Sequence, residues 1–142
     1  MASLIPKFVK SDIVTAWIAA MTGTTKLMLL TNLHTPNAST QQYIADVVAN
    51  QVVASGDYVA GGHAVTLVAT PTPDPAATNN YFLDASDVVI GPNTTLTFKY
   101  GVLYNTANNK ILAQIDFGAV DQAVVNGTST IQWAALGIIY VS

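Results

Sequence analysis

The side chains that could act as general bases near neutral pH are two histidines, His34 and His63. His34 lies in a polar loop before Pro36, whereas His63 directly follows two glycines, and nothing in the sequence brings the two imidazoles together. The chain also has no cysteine and no glutamate, so it forms no disulfide and offers a poor set of metal ligands. We therefore predict that neither histidine is catalytic and that the chain binds no metal and no cofactor.

Aspartate supplies all eight negative charges, and four aspartates deserve consideration as acids or ligands: Asp84, Asp87, Asp116 and Asp121. A glycan hydrolase needs two carboxylates about 5–9.5 Å apart, and in this chain only aspartates are available as carboxylates. Asp84 and Asp87 could ligate Ca²⁺, although their spacing does not match an EF-hand loop. Aspartate in a turn usually accepts hydrogen bonds from its own backbone amides. We predict turn caps for Asp84 and Asp87 and a solvated or interface position for Asp116 on the outward face of a strand. The protein is then not an enzyme, with a small glycan hydrolase as one alternative.

The composition excludes two classes of partner and favours a third. The 142 residues suit one domain, yet only 9% are charged, against a globular average of about 25%, and 51% are hydrophobic. A net charge of −3 without a basic run argues against nucleic-acid binding. The longest apolar run, Ala16–Met21, is far shorter than the ~20 residues of a membrane span, and the N-terminus lacks a signal-peptide pattern. Sparse charge leaves uncharged surface that associates with protein, so we predict an assembly subunit.

The N-terminal residues predict an arm followed by a helix. Residues 1–10 have no clear period and are interpreted as an extended arm. Residues 11–21 predict a helix that begins at Ser11 or Asp12 and stops at Gly23. A second short helix is predicted over residues 40–48, burying Tyr43, Ile44 and Val47.

The remainder of the chain is typical of strands. Residues 94–104 alternate with period two, residues 111–117 do the same after a hairpin loop, and three prolines between 70 and 80 predict a loop without regular structure. About eight short strands with frequent turns predict a mainly β fold: an antiparallel β-sandwich, jelly-roll-like, with one or two short N-terminal helices. The expected domains are an arm with a short helix at 1–23 and a single β-sandwich at 24–142.

The first helix has almost no polar face, which predicts contact on two sides. A two-layer sandwich buries one of them, and the other should meet a sister subunit or another protein. Trp17 is the expected anchor, because buried aromatic residues dominate interface energetics. The interface candidates on the arm and helix are Ile5, Phe8, Ile13, Trp17, Ile18 and Met21.

A series of short motifs resembles a family of small virion proteins encoded among the head genes of tailed bacteriophages. In order, these motifs are Tyr58–Gly62, Asn79–Asn80, Phe82–Val88, Tyr100–Tyr104, Ile115–Gly118, Asn126–Thr128, Ile131–Trp133 and Gly137–Ile138. The resemblance spans about residues 24–142 and rests on the order of the motifs. It implies a capsid decoration, or cement, protein with a jelly-roll sandwich.

Such a protein would bind the major capsid protein on the outer surface of the virion shell, bridge neighbouring capsid subunits, and form a homo-oligomer, either a dimer or a trimer. The alternative within the same particle is a tail or tail-tip component with a receptor-binding β-sandwich. Copy number distinguishes the two, since shell proteins are present in hundreds and tail proteins in tens or fewer.

Overall fold

A computed structural model of the chain describes residues 5–77, 79–134 and 137–141. The fold is mainly β, with 41% strand and 16% helix. In the described ranges one α-helix, α1 (Lys7–Met21), precedes nine strands: β1 (Thr25–Leu30), β2 (His63–Ala64), β3 (Thr72–Pro73), β4 (Tyr81–Leu83), β5 (Val88–Phe98), β6 (Tyr100–Asn105), β7 (Ile111–Asp116), β8 (Gln122–Ile131) and β9 (Ile139–Val141). Paired strands run antiparallel. The predicted mainly β, antiparallel class with a short N-terminal helix is confirmed.

The chain divides into two compact units. Unit 1 contains the described residues of 1–23, 66–87 and 132–142, and unit 2 contains residues 24–65 and 88–131. The expected division into an arm with a helix at 1–23 and one sandwich at 24–142 stays a prediction.

Helix α1 of unit 1 is longer than the sequence pattern indicated. It begins at Lys7, directly after Pro6, and Pro6 itself has the φ of −58° that its ring imposes. No side chain caps the start, so the predicted cap at Ser11 or Asp12 is wrong, and residues 7–10 are helical rather than part of an extended arm. Residues 1–4 of that arm lie outside the described residues.

The sheet of unit 1 has the order β3-β4-β9, and α1 packs against β4. Phe82 and Leu83 of β4 are buried. Thr72 and Pro73 pair with β4, which corrects the expectation that residues 70–80 hold no regular structure. Pro73 is tolerated because β3 is an edge strand, where a missing backbone N–H leaves no central ladder bond unmade.

The larger sheet of unit 2 has the order β2-β1-β6-β7. Its β1 and β6 pair over their whole length, from Thr25 opposite Asn105 to Leu30 opposite Tyr100. Both strands are mainly apolar and almost wholly buried, as expected for central strands covered on both faces. One core cluster of this unit consists of Met28, Leu30, Val47, Val102 and Tyr104.

Two tyrosines satisfy backbone groups in unit 2. The side chain of Tyr58 is fully buried, and its hydroxyl accepts a hydrogen bond of 2.8 Å from the Leu29 N–H. Burial raises the pKa of Tyr58, although the hydrogen bond from the Leu29 backbone opposes part of that effect. The Tyr104 hydroxyl donates to the Gly61 carbonyl at 2.6 Å, and burial also raises the pKa of Tyr104.

The second sheet of unit 2 pairs β5 with β8. Burial alternates along much of β5, so one of its faces is covered and the other is exposed. The sequence predicted one strand over residues 94–104, and this is wrong: the chain leaves one sheet at Phe98 and enters the other at Tyr100. Lys99 lies at the break, where its N–H donates to the Leu30 carbonyl and its carbonyl accepts from the Phe117 N–H.

The second predicted helix, over residues 40–48, is also wrong. The segment forms two single-turn 3₁₀ helices, Ile44–Asp46 and Val48–Asn50. Tyr43 forms an isolated antiparallel bridge with Lys110, which prevents an α-helix from starting there. Of the three residues expected to be buried, Val47 is buried and Tyr43 is exposed.

Candidate interaction surfaces

Helix α1 carries the residues that the sequence nominated for contact with a partner. Ile18 and Met21 lie on the buried face of α1 together with Val14, so their side chains are unavailable to a partner in this conformation. Ile13 and Trp17 are half-buried. The structure therefore separates the nominated residues into a buried set and an accessible set.

The most accessible of the nominated residues lie at the start of the helix. Phe8 is 66% exposed and Ile5 is 50% exposed. Phe8 also lines a shallow groove of about 420 Å³ in unit 1, together with Lys7, Ser11, Asp12 and Tyr81. We call Ile5, Phe8 and this groove the helix surface.

Two lysines fix the polar border of the helix surface within unit 1. Lys7 Nζ lies 5.9 Å from the centre of the Tyr81 ring, at a distance that permits a cation–π contact. Lys10 Nζ donates to Asn80 Oδ1 at 3.0 Å. Both ammonium groups contact the strand region beside the helix. Phe8 lies between these two lysines in the sequence, and its side chain is exposed.

Unit 2 exposes large apolar side chains as well, on several of its segments. Leu33 is 78% exposed and Val53 is 83% exposed. The full set in unit 2 is Leu33, Tyr43, Val48, Val53, Val59, Val89, Val120 and Val125. Sequence periodicity did not identify these residues, because most lie in turns or on the outward face of a strand. The composition does indicate exposed apolar residues, because 13 charged side chains are too few to cover the surface of a chain of this length.

The two histidines of unit 2 have different surroundings. His34 is buried, its ring meets Tyr100 edge-on at 5.5 Å, and neither ring nitrogen has a hydrogen-bond partner among the described residues. His63 is half-buried, and its Nε2 lies 3.5 Å from Asp57 Oδ2. Sequence reasoning missed the pair of His63 and Asp57, which the turn through Gly61 and Gly62 brings together.

The four aspartates considered as acids or ligands are bound to nearby groups. Each of them accepts a hydrogen bond through one carboxylate oxygen: Asp84 from the Ala85 N–H, Asp87 from Gln132 Nε2, Asp116 from the Gly118 N–H and Asp121 from Asn32 Nδ2. For Asp84 the donor is a neighbouring backbone amide, as the turn interpretation predicts, whereas the donor to Asp87 is a side chain. Asp116 was expected to be a solvated or interface residue; it is exposed, and it also accepts from a nearby backbone amide.

Within the described ranges the structure has neither a metal-binding cluster nor a membrane-spanning helix. Residues 5–77, 79–134 and 137–141 hold no group of three or more histidine, cysteine, aspartate or glutamate side chains placed to bind a metal ion. Over the same ranges, no helix has the length and apolar character needed to cross a membrane.

Comparison with known proteins gives no relative: no protein-family model, no curated protein and no solved structure matches this chain.

Proposed function

We propose that this protein is a structural subunit of a tailed-bacteriophage particle, without enzymatic activity, that decorates the outer surface of the capsid. In this proposal it binds the major capsid protein, bridges neighbouring capsid subunits and so stabilises the shell. One observation carries the proposal: a chain with only 13 charged side chains exposes large apolar residues in both of its units. Such surface is typical of protein that is covered in its working state.

The exposed polar groups fit the same role. The chain contains 17 threonines and ten asparagines, which supply hydrogen-bonding groups without charge. At the centre of an interface, charged groups are depleted because an unpaired buried charge is costly. Neutral hydroxyl and amide groups pair with a partner at lower desolvation cost.

The proposal includes a jelly-roll sandwich as the finer description of the fold. Its support is the presence of two antiparallel sheets in unit 2 and the one-sided burial of β5. One covered and one exposed face is the pattern of a strand in a sandwich.

Stabilisation would arise from many modest contacts. A specific interface buries roughly 1,200–2,000 Å² in total. When such a contact repeats at every joint of a shell, the particle resists internal pressure although no single contact is strong. The helix surface, with Phe8 at its centre, is the contact that we assign to the major capsid protein.

The experiment compares particles that contain the protein with particles that lack it. We expect depleted particles to lose DNA at lower temperature and at lower chelator concentration, and purified protein added back to restore resistance. Unchanged resistance in depleted particles would contradict the proposal. The alternative of a tail component predicts normal shells and defective adsorption instead.

A further inference from the structure

Strand β7 is the last strand of the larger sheet in unit 2, and its outer edge is only partly covered. At its start, the Ile111 N–H donates to the Gln42 carbonyl at 2.9 Å, and Lys110 forms the bridge with Tyr43. Beyond that point no strand among the described residues pairs with the outer edge of β7. The edge is therefore open from about Leu112 onward.

The register of the sheet shows which backbone groups face outward. Gly101 lies opposite Ile115, and the Phe117 N–H donates to the Lys99 carbonyl. In an antiparallel pair, every second residue exchanges hydrogen bonds with its partner strand. Ala113 and Ile115 thus bond to β6, and the N–H and C=O groups of Gln114 and Asp116 point to the open edge.

The open edge carries the usual protection against strand pairing only at its two ends, as a β-bulge near Leu112 and the charge of Asp116. Natural edge strands carry lysine, proline or inward-pointing charge. From Ile111 to Ile115 this strand has no charged residue and no proline. A break in register near Leu112 is its one irregularity, and the pairing is regular from Ala113 to Asp116.

A groove lies along the same edge, and Gln114 is one of the residues that line it. The groove has a volume of about 570 Å³, and it is lined by Ala38, Gln41, Gln42, Tyr43 and residues 110–114. Gln114 Oε1 is buried and has no hydrogen-bond partner among the described residues. Because this oxygen has no accessible surface, a partner at the edge contacts the backbone and the exposed part of Gln114 rather than this atom.

We propose that the open edge of β7 pairs with β7 of a second copy of this chain, antiparallel and across a two-fold axis at Gln114. In this register the backbone N–H and C=O groups of the two Gln114 residues bond to each other. The partly exposed Gln114 side chains of the two copies then lie next to each other on one face of the joined sheets.

The same register is self-complementary along the strand. Ala113 faces Ile115 of the second copy, so an apolar residue meets an apolar residue. The two Asp116 side chains lie at opposite ends of the paired strands, each facing Leu112 of the second copy, and no like charges are opposed. These features favour a second copy over a foreign strand. The inference does not rest on the proposed function, since it concerns the isolated protein.

The test introduces charge at the two-fold axis. Sedimentation velocity and native mass spectrometry then measure the oligomeric state of the full chain. We expect the wild-type protein to be a dimer. Gln114→Lys and Gln114→Glu each place two like charges opposite one another and should raise the dimer dissociation constant roughly tenfold or more. An equimolar mixture of the two variants should form a heterodimer, because the opposed charges then attract.

Two further variants make the test specific. Gln114→Pro removes an N–H that faces the open edge, so it should give a folded monomer whose circular dichroism matches the wild type. Thr130→Lys adds the same charge as Gln114→Lys at an exposed position of β8 and should leave the dimer intact. A wild-type monomer or trimer would overturn the inference, as would dimers of both charge variants or dissociation by Thr130→Lys. None of these results would bear on the proposed binding to the capsid, which is measured separately.

Discussion

Replacement of Phe8 by alanine tests the helix surface, because this side chain is the largest exposed aromatic group on α1. An aromatic side chain contributes roughly 150–250 Å² of area when it is buried. Phe8 is 66% exposed in the isolated chain, so full coverage by a partner would remove roughly 100–165 Å² from water. At about 25 cal/mol per Å², that area corresponds to about 2.5–4 kcal/mol of association free energy.

The assay is binding of the purified variant to capsids that lack the protein, followed by co-sedimentation. We expect Phe8→Ala to raise the dissociation constant about a hundredfold. Its unfolding free energy should stay within about 0.5 kcal/mol of the wild type, because the side chain is exposed. Thr15→Ala is the matched control, since it truncates an exposed side chain on the same helix and removes little apolar area. Binding of Phe8→Ala with wild-type affinity would refute the assignment of the helix surface.

Three further predictions concern the stability of unit 2 and of the chain. Tyr58→Phe leaves the buried Leu29 N–H without an acceptor and should lower the unfolding free energy in urea by about 1–3 kcal/mol. The control Tyr43→Phe, at an exposed tyrosine, should change the unfolding free energy by less than about 0.5 kcal/mol. Equal effects of the two substitutions would contradict the role of the hydrogen bond. Burial raises the pKa of Tyr58 above its ordinary value near 10, so the unfolded chain loses this proton first as the pH rises. The unfolding free energy should therefore hold below about pH 10 and fall above it, and it should fall less steeply in Tyr58→Phe. Equal pH dependence of the two proteins in urea titrations at several pH values would contradict this. Gly62→Ala should lower the unfolding free energy by roughly 3–5 kcal/mol, because φ is +90° and a Cβ there overlaps the Leu27 carbonyl. Gly23→Ala, where φ is +76° and a Cβ meets open space, should lower it by only about 1–2 kcal/mol. Thermal melts of the two variants measure this difference.

Much of the β structure could be predicted because its signal is local. The alternation over residues 111–117 corresponds to β7, and the loop between β6 and β7 falls where the sequence placed a hairpin. The break at Lys99 could not be predicted in this way. Alternation continues on both sides of it, and only the hydrogen bonds of Lys99 with Leu30 and Phe117 show that the chain changes sheets.

The helices show where local patterns are overridden. Residues 40–48 have helical spacing, yet the bridge between Tyr43 and Lys110 holds the segment in an extended start. This contact joins residues far apart in sequence, so periodicity does not report it. For α1, the start at Lys7 follows from the fixed φ of Pro6, whereas the lack of a period over residues 1–10 predicts an extended arm.

The interface candidates were partly accessible to sequence reasoning. The pattern on α1 identified apolar residues, but it did not distinguish Ile18 and Met21, which are buried, from Phe8, which is exposed. That distinction depends on packing against β4, a strand more than fifty residues away in sequence. The open edge of β7 depends likewise on strand order, which no local pattern encodes.

The number of copies of this protein in a purified particle, relative to the major capsid protein, tests the proposed function most directly. Quantitative mass spectrometry of intact virions gives this ratio without any assumption about contacts. The proposed role predicts hundreds of copies, in a simple ratio to the major capsid protein. A count in the tens or fewer, in multiples of three or six, would contradict a role on the shell and would indicate the tail.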